Sequence, residues 1–415
     1  MSVSSNRKIY VGLDFTFDQA ITAVGLLKLE RRGVIESGEY AYGKHYLASP
    51  TAFALNPDYL PLQSASLAIA EHRLRDGGAL PLTFRDALPD SWGRRVLEAQ
   101  HGKSLSDIDT LLMSNADRVG AMVFGENLPL LKEHSDTQLI PLKDMAEAVR
   151  KLEFSMEISP EMRRLLHRGG TLGGARPKAS FVHENHRWLA KFPSQGDDHD
   201  VSVLEISILA LAHQCGIDVC SSMLEKIPHG HALLVKRFDR TGPVHQERRL
   251  HYLSAAALLN VSYESHGGSY LELAQILRRI SSNPSHDLEQ LFRRMVLNLF
   301  IDNTDDHVKN HGVLYVGHGQ YQLAPAFDVV MQLTNLGYQE LAIKPQHHDS
   351  KISLALEVAP HFGIHEQTAI AIIASIKDVV AQEFIPALTH YGANQSLIER
   401  VKKCLKRQYE IITSA

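Results

Sequence analysis

The feature that most restricts the fold of this chain is a run of apolar residues at helical spacing, followed at once by a dense polar segment. The stretch "DLEQLFRRMVLNLF", which begins at Asp287, repeats apolar residues every three or four positions. Asp287 is expected to cap the start of this helix, with Gln290 reaching back to it. An apolar stripe of this kind is buried against a core. Its members are Leu288, Leu291, Phe292, Met295, Val296, Leu299 and Phe300.

The polar segment that follows the helix, "NTDDHVKN" at 303–310, carries the pattern of a phosphotransfer site. Asp305 and Asn310 lie five residues apart, and Asp328 follows in "AFDVV" after the predicted hairpin "GVLYV" to "QYQLAP". Phosphoryl transfer needs one carboxylate near the attacking hydroxyl, and an amide oxygen with a second carboxylate for the magnesium ion that bridges ATP phosphates. The three oxygen donors occur here in that order, with the spacing of a kinase catalytic loop.

The residues upstream of this segment supply groups that a triphosphate would need. Lys191 lies within an apolar strand and can reach the α- and β-phosphates, and Glu205 on the next helix is a natural partner for it. Glycines let a backbone approach phosphate closely; those in question are Gly169, Gly170, Gly173 and Gly174. Each feature alone has an ordinary structural explanation, but their joint order favours phosphotransfer.

Composition indicates a globular protein and assigns no partner by itself. The chain has 415 residues and a formal net charge of -4, which gives no global reason to expect nucleic acid binding. Its cysteines, Cys215, Cys220 and Cys404, are too scattered for a disulfide framework, which indicates a reducing compartment. We find neither a signal peptide nor an apolar run near the ~18 residues of a membrane span. A cytoplasmic location is expected.

The chain begins β-rich, continues mixed and ends mainly helical. The stretches "KIYVGLDF", "ITAVGLLKLE" and "GVIESGEYAYG" predict strands, and a helix is expected to start near Ser91. "SFVHE" and "RWLAKF" predict a hairpin, before a helix that ends at Gly216 and a strand in "HALLVKRFDR". We predict an α+β fold with a β-rich subdomain at 1–135, an ATP-binding lobe with a glycine-rich loop at 136–240 and a helical catalytic lobe at 241–415.

Taken together, these motifs resemble the HipA-type toxin kinases, the serine/threonine kinase components of bacterial toxin–antitoxin modules. The matching segments are "GGARPKAS", "LAKFP", "LLVKRFDR", "NTDDHVKN" and "APAFDVV", with "LPLTFRDALPDSW" and "DRVGAMVF" nearer the N-terminus. The resemblance covers nearly the whole chain. It implies a two-lobed, protein-kinase-like fold with an added N-terminal β-rich subdomain and a mainly helical C-terminal lobe.

The resemblance also implies roles for individual residues. Asp305 would be the catalytic base, Asn310 and Asp328 the magnesium ligands, and Glu205 and Asp239 supporting residues, with Asp239 on the ribose side. Phe238 would pack on the adenine. The residues implied to bind ATP are Gly173, Gly174, Ala175, Arg176, Pro177, Lys178, Lys191, Lys236, Arg237, Phe238, His307 and Lys309.

Two positions depart from the pattern of the family. Thr171 stands where the family more often has a serine, whose autophosphorylation ejects the phosphate loop and silences the kinase. A phosphate there would compete with ATP for the same donors. Asp306 stands where a smaller residue is common, which would place an extra negative charge near the phosphates.

The function that the resemblance implies is ATP- and magnesium-dependent phosphorylation of a cellular protein, such as an aminoacyl-tRNA synthetase, with growth arrest as the result. A helix-turn-helix antitoxin would be the partner, DNA would be contacted only through it, and no membrane is involved. Two alternatives remain: a small-molecule kinase of the aminoglycoside-phosphotransferase type, and a non-catalytic partner of the antitoxin on DNA.

Overall fold

The computed structural model falls into two compact units, one made of 1–190 with 239–253 and the other of 191–238 with 254–415. The chain therefore leaves the first unit and returns to it once. The division into 1–135, 136–240 and 241–415 stays a prediction. The described residues are 4–16, 20–73, 78–89, 91–115, 117–130, 141–154, 156, 159, 162, 166 and 176–414.

The first unit contains an antiparallel sheet whose strands form most of its core. Its strands are β1 (Ser4–Leu13), β2 (Thr22–Arg32), β3 (Ile35–Tyr42), β4 (Leu67–Arg73) and β5 (Met122–Gly125). They lie in the order β4-β3-β2-β1-β5, and each of β1 to β3 pairs antiparallel with its sequence neighbour. Ile9, Val11 and Leu13 alternate along β1 and are all buried, the two-residue period of a strand with one face in a core. The strands predicted near the N-terminus are confirmed.

Short helices connect and cover these strands. They are α1 (Lys44–Leu47), α2 (Leu82–Arg85), α3 (Ser91–His101), α4 (Asp107–Met113) and α5 (Leu142–Glu153). Trp92 on α3 is fully buried, and its Nε1 donates a hydrogen bond to the Lys178 carbonyl at 2.9 Å. The indole therefore fixes the chain where Lys178 begins the next strand.

A hairpin and a second, shorter ladder complete the first unit. The hairpin joins β6 (Lys178–His183) to β7 (His186–Lys191) through Glu184 and Asn185, whose φ angles of 47° and 60° are those of a tight hairpin turn. Strands β10 (Arg240–Thr241) and β11 (Arg248–Arg249) pair beyond it. Buried Arg249 lies 3.2 Å from Asp14. The hairpin predicted from "SFVHE" and "RWLAKF" is confirmed.

The second unit is mainly helical, with two antiparallel hairpins. One joins β8 (Ser222–Ile227) to β9 (Gly230–Lys236), and the other joins β13 (Gly312–Gly317) to β14 (Gln320–Leu323). Strand β12 (Tyr252–Ser254) lies where the chain leaves the first unit. The helices are α6 (Val201–Gln214), α7 (Ala255–Leu259), α8 (Tyr270–Ile280), α9 (Pro284–Phe300), α10 (Ile352–Val358), α11 (Glu366–His390) and α12 (Gln395–Thr413).

Helix α9 buries the predicted apolar stripe, but its start differs from the prediction. The helix begins at Pro284, a residue whose fixed φ suits the first helical turn. Asp287 does not cap it: its Oδ2 accepts hydrogen bonds from Ser281 Oγ at 2.7 Å and from the Leu323 N–H at 2.9 Å. Gln290 instead bonds the Asp218 N–H. The predicted capping pair is therefore wrong, because both side chains serve tertiary contacts.

Helix α6 ends as the sequence predicts. Gly216 has a φ of 73°, a left-handed conformation that glycine adopts without a steric penalty. The Ile217 N–H then bonds back to the Ala212 carbonyl at 3.0 Å. At the other end, the Asp200 side chain caps the helix by accepting from the Val203 N–H at 3.1 Å.

None of the helices in the described part of the chain combines the length and the apolarity that a membrane crossing needs.

A buried histidine should make the first unit sensitive to acid. His251 is fully buried, lies 2.8 Å from the Leu55 carbonyl through Nε2, and its burial lowers its pKa to about 4 from 6.5. Because the unfolded state binds the proton first, stability should fall as pH decreases from 6.5 towards 4, by up to about 3 kcal/mol. We expect the free energy of unfolding of the His251→Gln variant, measured by urea titration, to fall less steeply with decreasing pH over this range. His229→Gln, which alters an exposed histidine, should keep the wild-type slope, and an unchanged slope for His251→Gln would contradict this assignment.

Candidate active site

The polar segment 303–310 is fixed to the end of α9 by its first residues. Asn303 donates from its backbone N–H to the Asn298 carbonyl and from Nδ2 to Asn298 Oδ1, both at 3.1 Å. Asp302 is fully buried, and its Oδ2 accepts from the backbone N–H groups of Thr334 and Asn335 at 2.8 and 2.7 Å. The loop therefore stands on a rigid base, which a catalytic group requires.

Asp305 lies exposed on this loop, and Asn310 is buried behind it. The Asn310 Nδ2 donates to the Asp305 carbonyl at 3.3 Å, so the two residues of the D-x4-N spacing are in contact. Neighbouring atoms enclose part of the Asp305 carboxyl group. This desolvation raises its pKa; His307 opposes the rise, and the charges of Asp328 and Asp306 add to it. A general base is most effective when its pKa lies near the working pH. A raised pKa therefore makes a carboxylate a better general base near neutral pH.

The next residue, Asp306, turns into the interior. It is almost fully buried, accepts a short hydrogen bond from the Tyr270 hydroxyl and lies 3.0 Å from His311 Nε2. Burial alone would raise its pKa, but the charge and hydrogen bond of His311, with the bond from Tyr270, hold that pKa below its ordinary value. The Asp306 carboxylate is therefore charged and enclosed in a buried network, and its effect on bound phosphates stays a prediction.

His307 and Lys309 both pack against one aromatic ring. The His307 ring meets Tyr263 edge-on with centroids 4.5 Å apart, and the Lys309 ammonium lies 5.6 Å from the centroid of the same ring. A cation above a ring face is attracted by the ring quadrupole. The Lys309 N–H also donates to His307 Nδ1 at 3.2 Å. The two side chains are thus oriented together on one side of the loop.

Asp328 is held by the strand-like segment that precedes it. The Ala326 N–H donates to the Asp218 carbonyl at 2.7 Å, and the Cys220 N–H donates to the Ala326 carbonyl at 3.1 Å. Arg294, which is buried on α9, donates to the Ala324 carbonyl at 2.8 Å. Asp328 itself has a φ of 57°, a left-handed conformation that aspartate tolerates better than most residues. These contacts fix the backbone that leads to Asp328.

Lys191 contacts side chains from two other parts of the sequence. Its Nζ lies 2.5 Å from Glu205 Oε1 on α6 and 2.6 Å from Asp328 Oδ1, a residue 137 positions later. Burial alone would lower the pKa of Lys191, but the charges of Asp328 and Glu205 raise it above its ordinary value. The ammonium group is therefore charged and lies between two carboxylates.

The residues implied to receive the adenine end β9 or follow it. The Lys236 N–H donates to the Ser221 carbonyl at 2.8 Å, and Arg237 is buried. The Phe238 ring packs on Phe327 with centroids 5.1 Å apart. Phe238 and Phe327 both lie against the apolar cluster around Leu233. Phe238 is thus a partly buried aromatic beside the residue that precedes Asp328, and its contact with a base stays a prediction.

Asp239 belongs to the first unit and is engaged there. Its Oδ2 accepts from the Gly120 N–H at 2.9 Å and from Arg240 Nη1 at 2.7 Å. Arg240 also donates to the Arg118 carbonyl at 2.7 Å. Asp239 is nearly fully buried in this network, which gives it a structural role; the ribose contact stays a prediction.

Most of the glycine-rich segment lies outside the described residues. This holds for Gly169, Gly170, Thr171, Gly173, Gly174 and Ala175. Of the positions that follow, Arg176 is partly exposed, whereas Pro177 and Lys178 are buried in the first unit. Their roles in binding phosphate remain predictions.

The two predicted magnesium ligands, Asn310 and Asp328, suit a divalent cation by their chemistry. No cluster of three or more His, Cys, Asp or Glu side chains arranged for a metal ion occurs in the described part of the chain. The predicted pair instead joins one carboxylate with an amide. Asp328 already faces a cation, the Lys191 ammonium, and its negative charge helps raise the pKa of Asp305. Since magnesium prefers such oxygen donors and keeps several waters, these residues fit the ion.

Three residues of the site were missed by sequence reasoning. Tyr270 and His311 hold Asp306, and Asp302 ties the loop to the segment after Asp328. His311 directly follows Asn310, so its place next to the loop was readable from the sequence. Tyr270 lies far away in sequence and carries no local signal for this contact.

Comparisons with known proteins agree on one family. The family model of the HipA-like C-terminal domain matches residues 170–384. A Sinorhizobium fredii protein named "Putative kinase Y4mE" is 28% identical over 356 residues, which cover 77% of each chain. The serine/threonine-protein kinase toxin HipA of Shewanella oneidensis is 24% identical over 276 residues, covering 59% of this chain and 61% of that protein.

Among solved structures, a chain of the Shewanella oneidensis MR-1 toxin–antitoxin complex of HipA, HipB and operator DNA is similar in fold. The TM-score is 0.68 at 16% identity, and the match covers 97% of this chain and 96% of that chain. The predicted α+β, kinase-like fold, with a β-rich N-terminal part and a mainly helical C-terminal part, is thereby confirmed.

The buried Asp306 network should be important for stability. Asp306→Asn removes the charge that faces His311 and weakens the bond from Tyr270, so we expect unfolding to become easier by about 2–4 kcal/mol in urea titrations at pH 7. Asp378→Asn, on the exposed side of α11, should change stability by less than about 0.5 kcal/mol. Equal stability of both variants and the wild type would contradict the buried placement of Asp306.

Proposed function

This chain belongs to the HipA-like family, and we propose that it is an ATP- and magnesium-dependent serine/threonine protein kinase that acts as the toxin of a toxin–antitoxin module. The observation that carries the proposal is the position of Lys191 between Glu205 and Asp328. A lysine paired with a helix glutamate is the arrangement that protein kinases use to hold the nucleotide phosphates. The charge of Asp328 also acts on Asp305, which supports a single site built from all four residues.

Each residue has a separate task in the proposed reaction. Asp305 accepts the proton of a serine or threonine hydroxyl as that oxygen attacks the γ-phosphorus of ATP, while the bond from this phosphorus to the bridging oxygen of the β-phosphate breaks and ADP leaves. Lys191 contacts the α- and β-phosphates while Glu205 holds its ammonium group in place. Asn310 and Asp328 would hold magnesium, which neutralises charge on the transferred phosphoryl group when it is bound. Asp306 has no chemical task in this reaction; its buried contacts with Tyr270 and His311 fix the loop.

Asp328 has to exchange partners for this reaction. Its Oδ1 lies 2.6 Å from the Lys191 ammonium, so the carboxylate is already turned towards positive charge. With a nucleotide bound, Lys191 would turn to the phosphates, and the Asp328 carboxylate would then be available to hold the ion together with Asn310. The carboxylate would thus exchange one positive partner for another.

The cellular role follows from the family. We propose that this chain acts in the cytoplasm on a protein such as an aminoacyl-tRNA synthetase, and that phosphorylation of this target arrests growth. We also propose that a helix-turn-helix antitoxin binds both this chain and DNA. Autophosphorylation of Thr171 is proposed as the silencing step. The rival activity, phosphorylation of a small molecule, predicts labelled metabolites and no labelled protein.

Removal of the proposed base should abolish phosphate transfer. We expect Asp305→Asn to lower transfer from labelled ATP to lysate proteins by at least about 100-fold, because the amide keeps the shape but cannot take the proton. ATP binding, followed by calorimetry, should persist. Expression of the variant should no longer arrest growth.

The control for this experiment is Asp378→Asn, which changes an exposed carboxylate on α11 and should retain wild-type transfer. Undiminished labelling by Asp305→Asn would refute the assignment of the base. Growth arrest that persists without any labelling by the wild type would instead support a binding protein.

A further inference from the structure

A strand-like segment at 337–343 runs beside the loop that carries Asp305. On one side it pairs with the chain that returns after it: the Gln339 N–H donates to the His348 carbonyl at 2.6 Å, and the Ser350 N–H donates to the Gly337 carbonyl at 2.9 Å. The segment is therefore a fixed edge, although it is not part of a longer sheet.

On its other side the segment bonds directly to the proposed catalytic loop. The Glu340 N–H donates to the Thr304 carbonyl at 3.3 Å, and the Leu341 N–H donates to the Asp306 carbonyl at 2.8 Å. Thr304 and Asp306 are the two neighbours of Asp305 in the chain. These bonds place the backbone of Glu340 next to Asp305.

Over residues 338–341 of this segment, the side chains alternate between solvent and the interior. Gln339 and Leu341 are buried, whereas Tyr338 is exposed and Glu340 is partly exposed. Since successive side chains of an extended chain point to opposite faces, Tyr338 and Glu340 share the outward face.

Within this segment, Glu340 is the acidic side chain, and its described partner is itself exposed to solvent. Asp306 is buried with Tyr270 and His311, and Asp328 faces Lys191. Glu340, in contrast, has a side chain that is 19% exposed and contacts Nδ1 of His266, a side chain that is 68% exposed. An ion pair with an exposed imidazole contributes less than one with an enclosed cation, because solvent screens it.

We propose that Glu340 is a specificity-determining residue that recognises a lysine or arginine close to the serine or threonine being phosphorylated. This inference rests on the proposed function and names its substrate class. The basic side chain of the acceptor would displace His266 and form a charge-assisted hydrogen bond with the Glu340 carboxylate. Tyr338, two residues earlier on the same face, would offer an aromatic surface for the aliphatic stem of that side chain. An acceptor with an acidic residue at this place would be repelled.

The test measures which sites are labelled and how fast. Wild type and Glu340→Gln are incubated with labelled ATP and bacterial lysate, and the phosphorylated sites are mapped by mass spectrometry. We expect wild-type sites to have Lys or Arg within about three residues, the reach of about 10 Å along an extended chain. Peptides made from these sites, each paired with a version that has Gln in place of the basic residue, then give kcat/KM.

The expected result is a coupling between the two partners. For wild type, loss of the basic residue should lower kcat/KM by about 10-fold, whereas for Glu340→Gln the two peptides should be nearly equal. Glu340→Lys should prefer a peptide with Glu at that position. The KM for ATP should be unchanged in both variants, which a general loss of structure would not allow.

The control is Glu357→Gln, which alters an exposed carboxylate of the second unit whose described partner is Lys344 at 2.5 Å. It should retain the wild-type preference. Sites without nearby basic residues, or an equal loss on both peptides in Glu340→Gln, would overturn the assignment of Glu340 while leaving the kinase intact. Failure of the proposed function looks different: the wild type would then label nothing, as Asp305→Asn does.

Discussion

The proposed site depends on one ammonium group held between two carboxylates. Lys191 comes from the end of β7, Glu205 from the middle of α6, and Asp328 from the segment after β14. Three separate parts of the chain must be in place before these atoms can meet. A buried charge without partners would cost several kcal/mol, so the ion pairs and the local fold support one another. The same contact keeps Asp328 turned towards the place where positive charge is needed.

The loop at 303–310 shows how one sequence pattern yields two opposite roles. Asp305 and Asp306 are neighbours, yet one carboxylate faces solvent and the other is enclosed with Tyr270 and His311. The pKa of the first is raised and that of the second is lowered. Environment, not residue type, separates a candidate base from a structural anchor. The buried partner also gives the exposed one a fixed backbone, since the Leu341 N–H bonds to the Asp306 carbonyl.

Local patterns predicted the elements well, and tertiary contacts explain the errors. The hairpin turn at Glu184 and Asn185 and the helix end at Gly216 depend on residues that are adjacent in the sequence. A local pattern is therefore enough to predict them. Asp287 was assigned to a helix cap because the capping pattern is local. In the folded chain its carboxylate bonds Ser281 and Leu323 instead, since a buried donor without a partner costs more than an exposed helix start.

The sequence by itself determined the α+β order of elements, the apolar stripe of α9 and the types and spacing of the candidate groups, because these depend on periodicity and on side-chain chemistry. The tertiary structure decided which carboxylate of the pair at Asp305 and Asp306 is available, what surrounds Lys191, and that Glu340 stands beside the loop. Those features depend on contacts between residues tens of positions apart. Pairing, burial and charge arise only when distant segments meet, and no local pattern records which segments will do so.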